Sequence, residues 1–384
     1  MKRMIGITVC AGAALFTAWT LSAQELKAVA KDPEGHGLLC MLGTKRVLVV
    51  SGTPEQMGGA HGRLLADLVP HVMPRTMALV ATGYAVQKGK WFYDTIDEIY
   101  RRSSPHTPER FIRECTAMAA AAKITERDAL CGNFFPELFH CSGVAACNTA
   151  TADGRVVHAR VLDYMRDINL QKYTVLQVFV PNGGIPWLSV GYAGFLGTVT
   201  AMNARGLAIG EMGGHGEGAW DGIPMTFLMR EIAEKAETVE QALAIMRKVP
   251  RTCEYYYVIS DAKRNMAGVY ATPGKLEVLQ PGQQNPRLPA VPKDTVMMSA
   301  GARAKALSER LHAQFGKITP EVMIEIIKRP VAMRSNLHNA IFMPETLDVW
   351  FADAGKKTPA CDEPYTKANL PALLDFYRLR QAQP

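Results

Sequence analysis

The feature that most constrains the fold is a series of short strand-like segments after residue 141, separated by turns of only a few residues. The segments occupy residues 144–151, 156–161, 173–180, 187–192, 196–202 and 207–211. The turn Asp153-Gly154 joins the first two segments, and an Asp-Gly pair between two such runs is a strong hairpin signal. Connections this short leave no room for a crossover helix, so the sheet is predicted to be largely antiparallel.

Two pairs of helices interrupt this strand pattern. Helices are predicted over 225–236, between Thr238 and Pro250, over 302–314 and over 320–328, with further strands at 255–260, 266–270, 275–279, 340–342 and 347–352. Thr238 begins a capping box and Pro250 ends the helix that follows it. The order of strands, two helices, strands, two helices and strands predicts an α+β fold with two antiparallel sheets sandwiched by helices.

The N-terminus has the pattern of a secretory signal peptide. Lys2 and Arg3 precede an apolar stretch that ends in small residues at Ser22 and Ala23, which is the order of charged region, hydrophobic region and cleavage site. Threonines and a glycine interrupt the stretch, which argues against a membrane span. Residues 1–23 are predicted to be removed on export, and the mature protein is expected to be periplasmic or secreted, with no stable membrane span.

Residues 24–140 are expected to form a mostly helical region beside the sheets, with one strand-like run at Arg46–Val50. Thr53 and Thr107 each precede a Pro-Glu pair, which is a favourable way to begin a helix. The series of strands begins only after this region, so residues 141–384 are predicted to be the layered domain.

Composition and motif content exclude several function classes. The chain is 48% hydrophobic and 21% charged, which is ordinary for a globular protein. Its net charge is +7, but the cations are scattered and form no basic run, which argues against nucleic-acid binding. The sequence contains no His-x-x-x-His, Cys-x-x-Cys or phosphate-binding loop, so neither a metal nor a cofactor is expected.

Cysteine content bears on both redox state and chemistry. Of the eight cysteines, Cys10 lies in the predicted signal peptide, and those of the mature chain are Cys40, Cys115, Cys131, Cys141, Cys147, Cys253 and Cys361. An oxidising compartment favours disulfides, but an odd number leaves at least one thiol unpaired and available as a nucleophile. Up to three disulfides are possible, and their connectivity is open.

The segment that begins at Cys141 brings together residue types suited to thiol chemistry. Cys141 stands at the head of the first strand, and the hairpin returns Arg160 and Asp163 toward the same end. A thiol becomes a thiolate near neutral pH when a cation is close, and it needs an oriented base to take its proton. Small residues after Cys141 let backbone N–H groups approach a developing oxyanion.

This segment resembles a known family. The Cys-Ser-Gly head at 141–143, the hairpin and the Arg-x-x-Asp-Tyr element at 160–164 are similar to the first hairpin of the choloylglycine hydrolase, acid ceramidase and isopenicillin-N acyltransferase group. The resemblance is closest to its acyl-CoA:6-aminopenicillanic acid acyltransferase-like (peptidase C45) branch. Further similar motifs lie in order at 52–62, 202–208, 308–310 and 337–350. Together they cover nearly the whole mature chain.

The resemblance implies a four-layer αββα fold of the N-terminal-nucleophile (Ntn) hydrolase type and self-activation. Cys141 would attack the carbonyl of His140, and hydrolysis of the ester formed would make Cys141 the new N-terminus. The new α-amine, whose unperturbed pKa is roughly 7.7–8.0, would act as general base. The family pattern assigns Arg160 as the cation beside the thiolate and Asp163 as the partner of the α-ammonium.

The same resemblance implies a small-molecule N-acyl amide as substrate. Acylation of Cys141 would release the amine, and either water or another amine would then take the acyl group, so hydrolysis and acyl transfer both stay open. Residues 24–140 would become a light chain or a propeptide.

Oxyanion-hole and pocket residues are predicted less directly. Glu211, Met212 and Gly213 stand where relatives place an oxyanion-hole residue, and Asn203 lies in the turn before them. These four are the candidates for that role. Ser299 lies near the position of a further family asparagine.

Alternatives to this interpretation involve other residues or no catalysis. Cys147 is a rival nucleophile because small polar residues follow it as well. A conventional thiol hydrolase would use Cys141 or Cys147 with His158 or His338 and would be active as an uncut chain. A periplasmic binding protein that retains the fold without catalysis would neither cut itself nor need Cys141.

Overall fold

The computed structural model describes residues 25–135, 141–164 and 166–382. The strands are β1 (Leu26–Lys31), β2 (Gly37–Leu42), β3 (Lys45–Gly52), β4 (Ser142–Ala146), β5 (Val157–Asp163), β6 (Thr174–Pro181), β7 (Trp187–Tyr192), β8 (Thr200–Asn203), β9 (Ala208–Gly213), β10 (Tyr255–Ser260), β11 (Met266–Ala271), β12 (Leu276–Leu279), β13 (Thr295–Met298), β14 (Asn336–Met343), β15 (Asp348–Asp353) and β16 (Thr366–Asn369). The α-helices are α1 (Pro54–Leu64), α2 (Met77–Lys88), α3 (Phe92–Ser103), α4 (Glu109–Ala122), α5 (Glu126–Phe134), α6 (Met225–Lys235), α7 (Val239–Lys248), α8 (Gly301–Ala313), α9 (Pro320–Ile327) and α10 (Leu370–Gln381).

The strands form two sheets. The larger has the order β1-β2-β3-β6-β7-β8-β9-β10-β11-β12, and the smaller has the order β13-β4-β5-β14-β15-β16. Among the described strands, neighbours are antiparallel except for β3 and β6, which pair in parallel. The hairpin predicted at Asp153-Gly154 joins β4 to β5, and the last predicted hairpin joins β14 to β15.

Side-chain alternation along the strands gives the molecule four layers. Leu48 and Val50 of β3 pack with α1, α4 and α6 on the outer face of the larger sheet. The alternate residues Val47 and Val49 pack instead against β14 and β15 between the sheets. The outer face of the smaller sheet, including Val144 of β4, packs against α8 and α9. The predicted αββα sandwich is therefore confirmed.

The N-terminal region differs from its prediction. Residues 26–52 form three strands that extend the larger sheet; β3 covers the predicted run at 46–50, whereas β1 and β2 were not predicted. Helices α1–α5 follow as expected. The parallel pairing of β3 with β6 makes this region an integral part of the sandwich.

Helices α1 and α4 approach so closely that their backbones touch. A Cβ atom on Gly58 would lie 2.2 Å from the carbonyl oxygen of Glu114, and one on Gly62 would lie 2.5 Å from that of Met118. Only glycine fits at these two positions, which fixes α1 against α4 and both against the larger sheet.

The structure also bears on the disulfide and membrane expectations. Cys40, Cys115, Cys131, Cys147, Cys253 and Cys361 are buried, and within the described ranges none of them forms a disulfide. No helix among residues 25–135, 141–164 and 166–382 is long and apolar enough to cross a membrane. The predicted signal peptide, residues 1–23, lies outside the described residues.

Candidate active site

The β4–β5 hairpin sets which residues share a face with Cys141. Ser142 pairs with Val161 and Gly143 pairs with Arg160. Val161 belongs to the outer face that packs on α8 and α9, so Gly143 and Arg160 point between the sheets, because successive side chains alternate. Cys141 directly precedes β4, and continuing the register places it on this inner face.

Cys141 lines a cavity of about 230 Å³ at the end of the hairpin, although only 2% of its surface is exposed. The cavity lies beside β9, β10, β11 and β13, and its walls carry polar and charged side chains. Its other lining residues include Met212, Gly213, His215, Tyr256, Tyr270, Glu277, Arg287 and Ser299. The thiol therefore faces a cavity with polar and charged walls.

Arg160 is fully buried between the two sheets. Its Nε donates to the backbone oxygen of Glu211 at 3.1 Å, and its Nη2 lies 3.4 Å from the Glu211 carboxylate. The side chain crosses Gly210, where a Cβ atom would lie 2.5 Å from Arg160 Cγ. Cys141 is a diagonal cross-strand neighbour of Arg160, a separation of roughly 7–8 Å that a long side chain can bridge.

Asp163 ends β5 on the opposite face. Its carboxylate forms an ion pair with Arg303 of α8 and accepts a hydrogen bond from the backbone N–H of Met333 at 2.8 Å. Burial raises the pKa of Asp163 to about 6, while the nearby Arg303 opposes the rise. Arg303 also donates to Ser142 Oγ at 2.8 Å. One guanidinium therefore connects Asp163 to the residue next to Cys141.

Arg303 is a site residue that sequence reasoning missed. It lies 140 residues from Asp163 along the chain, in the first turn of α8. Ser299, whose hydroxyl lies 2.8 Å from Ser142 Oγ, precedes it by one turn and lines the cavity. The only sequence signal was the position of Ser299 near a family asparagine, and it gave no indication of the arginine.

The four candidates for the oxyanion hole do not lie together. Met212 and Gly213 line the cavity with Cys141. Glu211 is fully buried beside Arg160 and is a partner for that cation. An ionised carboxylate only accepts hydrogen bonds and therefore cannot donate one to an oxyanion.

The structure places Asn203 away from the Cys141 cavity. Its amide donates to the backbone oxygens of Ala233 and Ala236 at 2.9 Å and 2.7 Å. Its side-chain oxygen accepts from the backbone of Arg205 and Leu207 at 3.0 Å. Asn203 therefore holds the turn after β8 to the end of α6 and does not line the Cys141 cavity.

The two histidines of the conventional thiol-hydrolase alternative are engaged elsewhere. The ring nitrogens of His338 lie 2.9 Å from Tyr192 Oη and 2.9 Å from Thr200 Oγ1, and burial lowers its pKa well below the usual value. His158 pairs with Ala145 across the hairpin. That position lies four residues along the strand from Cys141, or roughly 13 Å at 3.3 Å per residue. Neither ring is placed to take a proton from Cys141.

Cys147, the rival nucleophile, has surroundings that disfavour a thiolate. Its thiol lies 3.6 Å from the backbone oxygen of Arg264, to which it donates. Burial raises the pKa of Cys147 to about 11, and the carboxylates of Asp294 and Glu345 add to the rise. A thiol of this kind is almost wholly protonated at neutral pH.

Metal chemistry has no evident site in the part of the chain that is described. No group of three or more His, Cys, Asp or Glu side chains is arranged there to hold a metal ion.

Comparison with known proteins identifies relatives of this chain. Residues 150–285 match the family described as acyl-coenzyme A:6-aminopenicillanic acid acyl-transferase. Protein dcd1B of Dictyostelium discoideum is 24% identical over 368 residues, covering 86% of this chain and 72% of that protein. The N-acylethanolamine-hydrolyzing acid amidase of Mus musculus is 23% identical over 239 residues, covering 58% of this chain and 65% of the amidase.

Among solved structures, the Caenorhabditis elegans ortholog of N-acylethanolamine-hydrolyzing acid amidase aligns with a TM-score of 0.43 and 15% identity. That alignment covers 53% of this chain and 93% of the ortholog. The family match spans both Arg160 and Asp163.

Proposed function

We propose that this chain, which belongs to the acyl-coenzyme A:6-aminopenicillanic acid acyl-transferase family, is an exported, self-cleaving amide hydrolase or acyltransferase with Cys141 as its nucleophile. The family is one of enzymes that act on amide bonds. The observation that carries the proposal is the position of Cys141. It lines the polar cavity at the head of β4 and shares the inner face of the hairpin with the buried Arg160.

Self-cleavage is the first step of the proposed mechanism. The thiolate of Cys141 adds to the carbonyl of His140, the C–N bond breaks, and the nitrogen becomes the α-amine of Cys141. Water then hydrolyses the thioester to leave a carboxylate on His140, which lies outside the described residues. The guanidinium of Arg160 favours the thiolate because a nearby cation lowers a thiol pKa.

Turnover repeats the same chemistry on a substrate amide. The free α-amine of Cys141 takes the thiol proton, the sulfur attacks the substrate carbonyl, and the α-ammonium then passes its proton to the substrate nitrogen, which leaves as the free amine. Water or a second amine then attacks the thioester and regenerates the thiol. Asp163 would hold the α-ammonium through its carboxylate. Arg303 contacts both that carboxylate and the hydroxyl of Ser142, the residue next to Cys141.

The test of self-cleavage compares the wild type with Cys141→Ala by intact mass and N-terminal sequencing. The wild type is expected to give a fragment that begins Cys-Ser-Gly, and the variant is expected to stay whole. A Cys147→Ala variant is the matched control and should cleave like the wild type. If folded wild-type protein persists as one chain, the thiol-hydrolase and binding-protein alternatives take the place of this proposal.

The same experiment examines export when the protein is purified from the periplasm or medium. The upstream fragment is then expected to begin at Gln24, directly after the predicted cleavage site at Ala23. A fragment that retains Lys2 and Arg3 would contradict removal of a signal peptide.

Protonation of Asp163 is expected to change how kcat/KM of the cleaved enzyme depends on pH. Its pKa is raised to about 6, so the carboxylate that holds the α-ammonium is lost as the pH falls through that value. The slope of log kcat/KM against pH should therefore steepen from about one to about two below pH 6, because a second proton then inactivates the enzyme. In already cleaved protein that carries Asp163→Asn, the residual activity should keep a slope of one. An unchanged slope of one in the wild type would contradict this role for Asp163.

A further inference from the structure

We infer that the amine half of the substrate is an extended group with a carboxylate at its far end, and that Arg287 binds this carboxylate. The inference rests on the proposed function, because it assumes that the scissile amide meets Cys141. It is carried by the floor of the cavity that Cys141 lines, since the same cavity has Arg287 in its wall.

Four cross-strand partners of the larger sheet form the floor of this cavity. Met212 of β9 pairs with Tyr256 of β10. Tyr256 pairs in turn with Tyr270 of β11, which pairs with Glu277 of β12. Directly paired residues share one face of a sheet, and all four line the cavity. Neighbouring strands lie about 4.8 Å apart, so this row of four residues spans about 14 Å.

The inner end of the row lies beside the nucleophile. A Cβ atom on Gly143 would lie 2.9 Å from the sulfur of Met212, so Met212 packs against β4 two residues from Cys141. Met212 and Cys141 also line the same cavity. A substrate group that extends from Cys141 along the floor therefore crosses Met212 first and the two tyrosines next.

Arg287 lies at the outer end of the row. Its guanidinium carbon is 4.7 Å from the centre of the Tyr270 ring, and its Nη2 donates to the Glu277 carboxylate. Among the described residues, Glu277 is the only acceptor that this guanidinium contacts, although a guanidinium has five N–H donors. The remaining donors form the planar fork that binds both oxygens of a carboxylate.

The charges around Arg287 favour an anion. Glu277 also forms an ion pair with Lys275, so Glu277 keeps a cation when Arg287 turns part of its fork toward a ligand. These three side chains together carry one excess positive charge. A further carboxylate, Glu254, accepts hydrogen bonds from the hydroxyls of the two tyrosines at 2.6 Å and 3.4 Å and lies outside the cavity wall. Those hydrogen bonds fix the rings on which the guanidinium rests.

The cavity suits the amine half of the substrate because its outer end is open. The side chain of Arg287 is 52% exposed. The amine must leave, and water must enter, while the acyl group is still bound to the sulfur of Cys141, and an open end permits both steps.

The length of the row sets where the carboxylate must lie. Tyr270, over which Arg287 is stacked, is two strand spacings or about 10 Å from Met212. In an α-amino acid only one carbon separates the nitrogen from the carboxylate, which then stops short of Arg287. The substrate class is therefore an N-acyl amide whose amine carries a carboxylate about 10 Å from the scissile nitrogen.

The first test is a series of N-hexanoyl ω-amino acids, with amines from two to twelve carbons, compared with the matching series that ends in an uncharged carboxamide. Hydrolysis is measured as released amine. For the carboxylates, kcat/KM is expected to rise by about tenfold or more as their length approaches 10 Å, the gain for hydrogen bonds to a charged group. The carboxamides should show no such optimum.

Arg287→Met should remove the preference for the longer carboxylates and leave the carboxamides nearly unchanged. Arg247→Met is the matched control and should equal the wild type at every length, because Arg247 pairs with Glu240 at the surface and lies outside the cavity wall. Cys141-dependent hydrolysis that is equal for carboxylates and carboxamides, or a preference that survives Arg287→Met, would overturn the inference and leave the proposed function intact.

A binding measurement keeps the inference separate from activity. Cys141→Ala protein should bind the eight-carbon carboxylate at least tenfold more tightly than its carboxamide in isothermal titration calorimetry. Adding Arg287→Met should abolish this difference, whereas adding Arg247→Met should preserve it. If the two compounds bind equally well, or neither binds, Arg287 is not a carboxylate site, whatever the protein hydrolyses.

Discussion

Arg160→Met is expected to reduce self-cleavage and amide turnover by about 10²-fold or more, the loss typical of removing one charge-stabilising group from a reaction centre. The guanidinium is fully buried and lies 3.4 Å from the carboxylate of Glu211. Without the cation, the thiol of Cys141 loses the charge that favours its reactive form. Measuring the rate of precursor cleavage after refolding gives the effect directly.

Arg160→Met also leaves a carboxylate buried without its cation, so lost activity alone would not identify a chemical role. Removing one partner of a buried ion pair typically lowers the free energy of unfolding by about 3–5 kcal/mol. Replacing both partners with apolar residues is often neutral, so Arg160→Met/Glu211→Met should recover most of that stability.

The double variant Arg160→Met/Glu211→Met distinguishes a chemical role of Arg160 from a purely structural one. We expect it to unfold in urea near the wild-type midpoint and still fail to cleave. Cleavage at the wild-type rate in this variant would mean that Arg160 only fills the space between the sheets, and the assignment of a cation beside the thiol would be wrong.

The sequence was most informative where local pattern decides structure. The alternating runs and the Asp153-Gly154 turn gave the β4–β5 hairpin and with it the shared face of Cys141 and Arg160, because both follow from the period of two along a strand. Residues 37–42 were harder. The run Leu-Leu-Cys-Met-Leu at 38–42 is continuously apolar, and such a run does not distinguish a buried strand from a helix.

The site could be predicted only as far as its residues are close in sequence. Arg303 contacts Asp163 because α8 packs over the end of β5, and no local pattern connects residues so distant along the chain. For Asn203, the family motif and the structure point to different roles. Its position in a family motif suggested a pocket residue, whereas its four backbone hydrogen bonds show that the turn itself needs an asparagine.

Arg230→Met is expected to lower the free energy of unfolding by about 3–5 kcal/mol. Arg230 is buried and pairs with Glu114 at 2.6 Å and with Glu234 at 2.7 Å. It also donates to the backbone oxygen of Leu196 at 2.8 Å. Glu114 lies in α4, before the proposed cut, and Arg230 lies in α6, after it. The pair therefore ties the two fragments together once the chain is cleaved.

Urea unfolding and size-exclusion chromatography measure the consequence. Wild-type fragments should elute together, because β3 pairs with β6 and because α1 and α4 pack on the larger sheet. Arg230→Met fragments should separate at a lower urea concentration. Arg247→Met is the matched control, because Arg247 makes an exposed pair with Glu240 and such pairs contribute about 0–1 kcal/mol. Equal urea midpoints for the two variants would contradict a tie through Arg230.

The effect of Arg230→Met should also depend on pH. Burial already raises the pKa of Glu114 to about 7 against the opposing charge of Arg230, and removing that charge raises it further. A carboxyl group whose folded pKa exceeds its unfolded value favours folding at low pH, and this contribution is lost as the pH rises. In the variant, Glu114 keeps its proton to a higher pH than in the wild type and avoids a buried unpaired charge until that pH is passed. The stability difference between Arg230→Met and Arg247→Met should therefore widen as the pH is raised above 7, and a constant difference would mean that Glu114 keeps its charge through another partner.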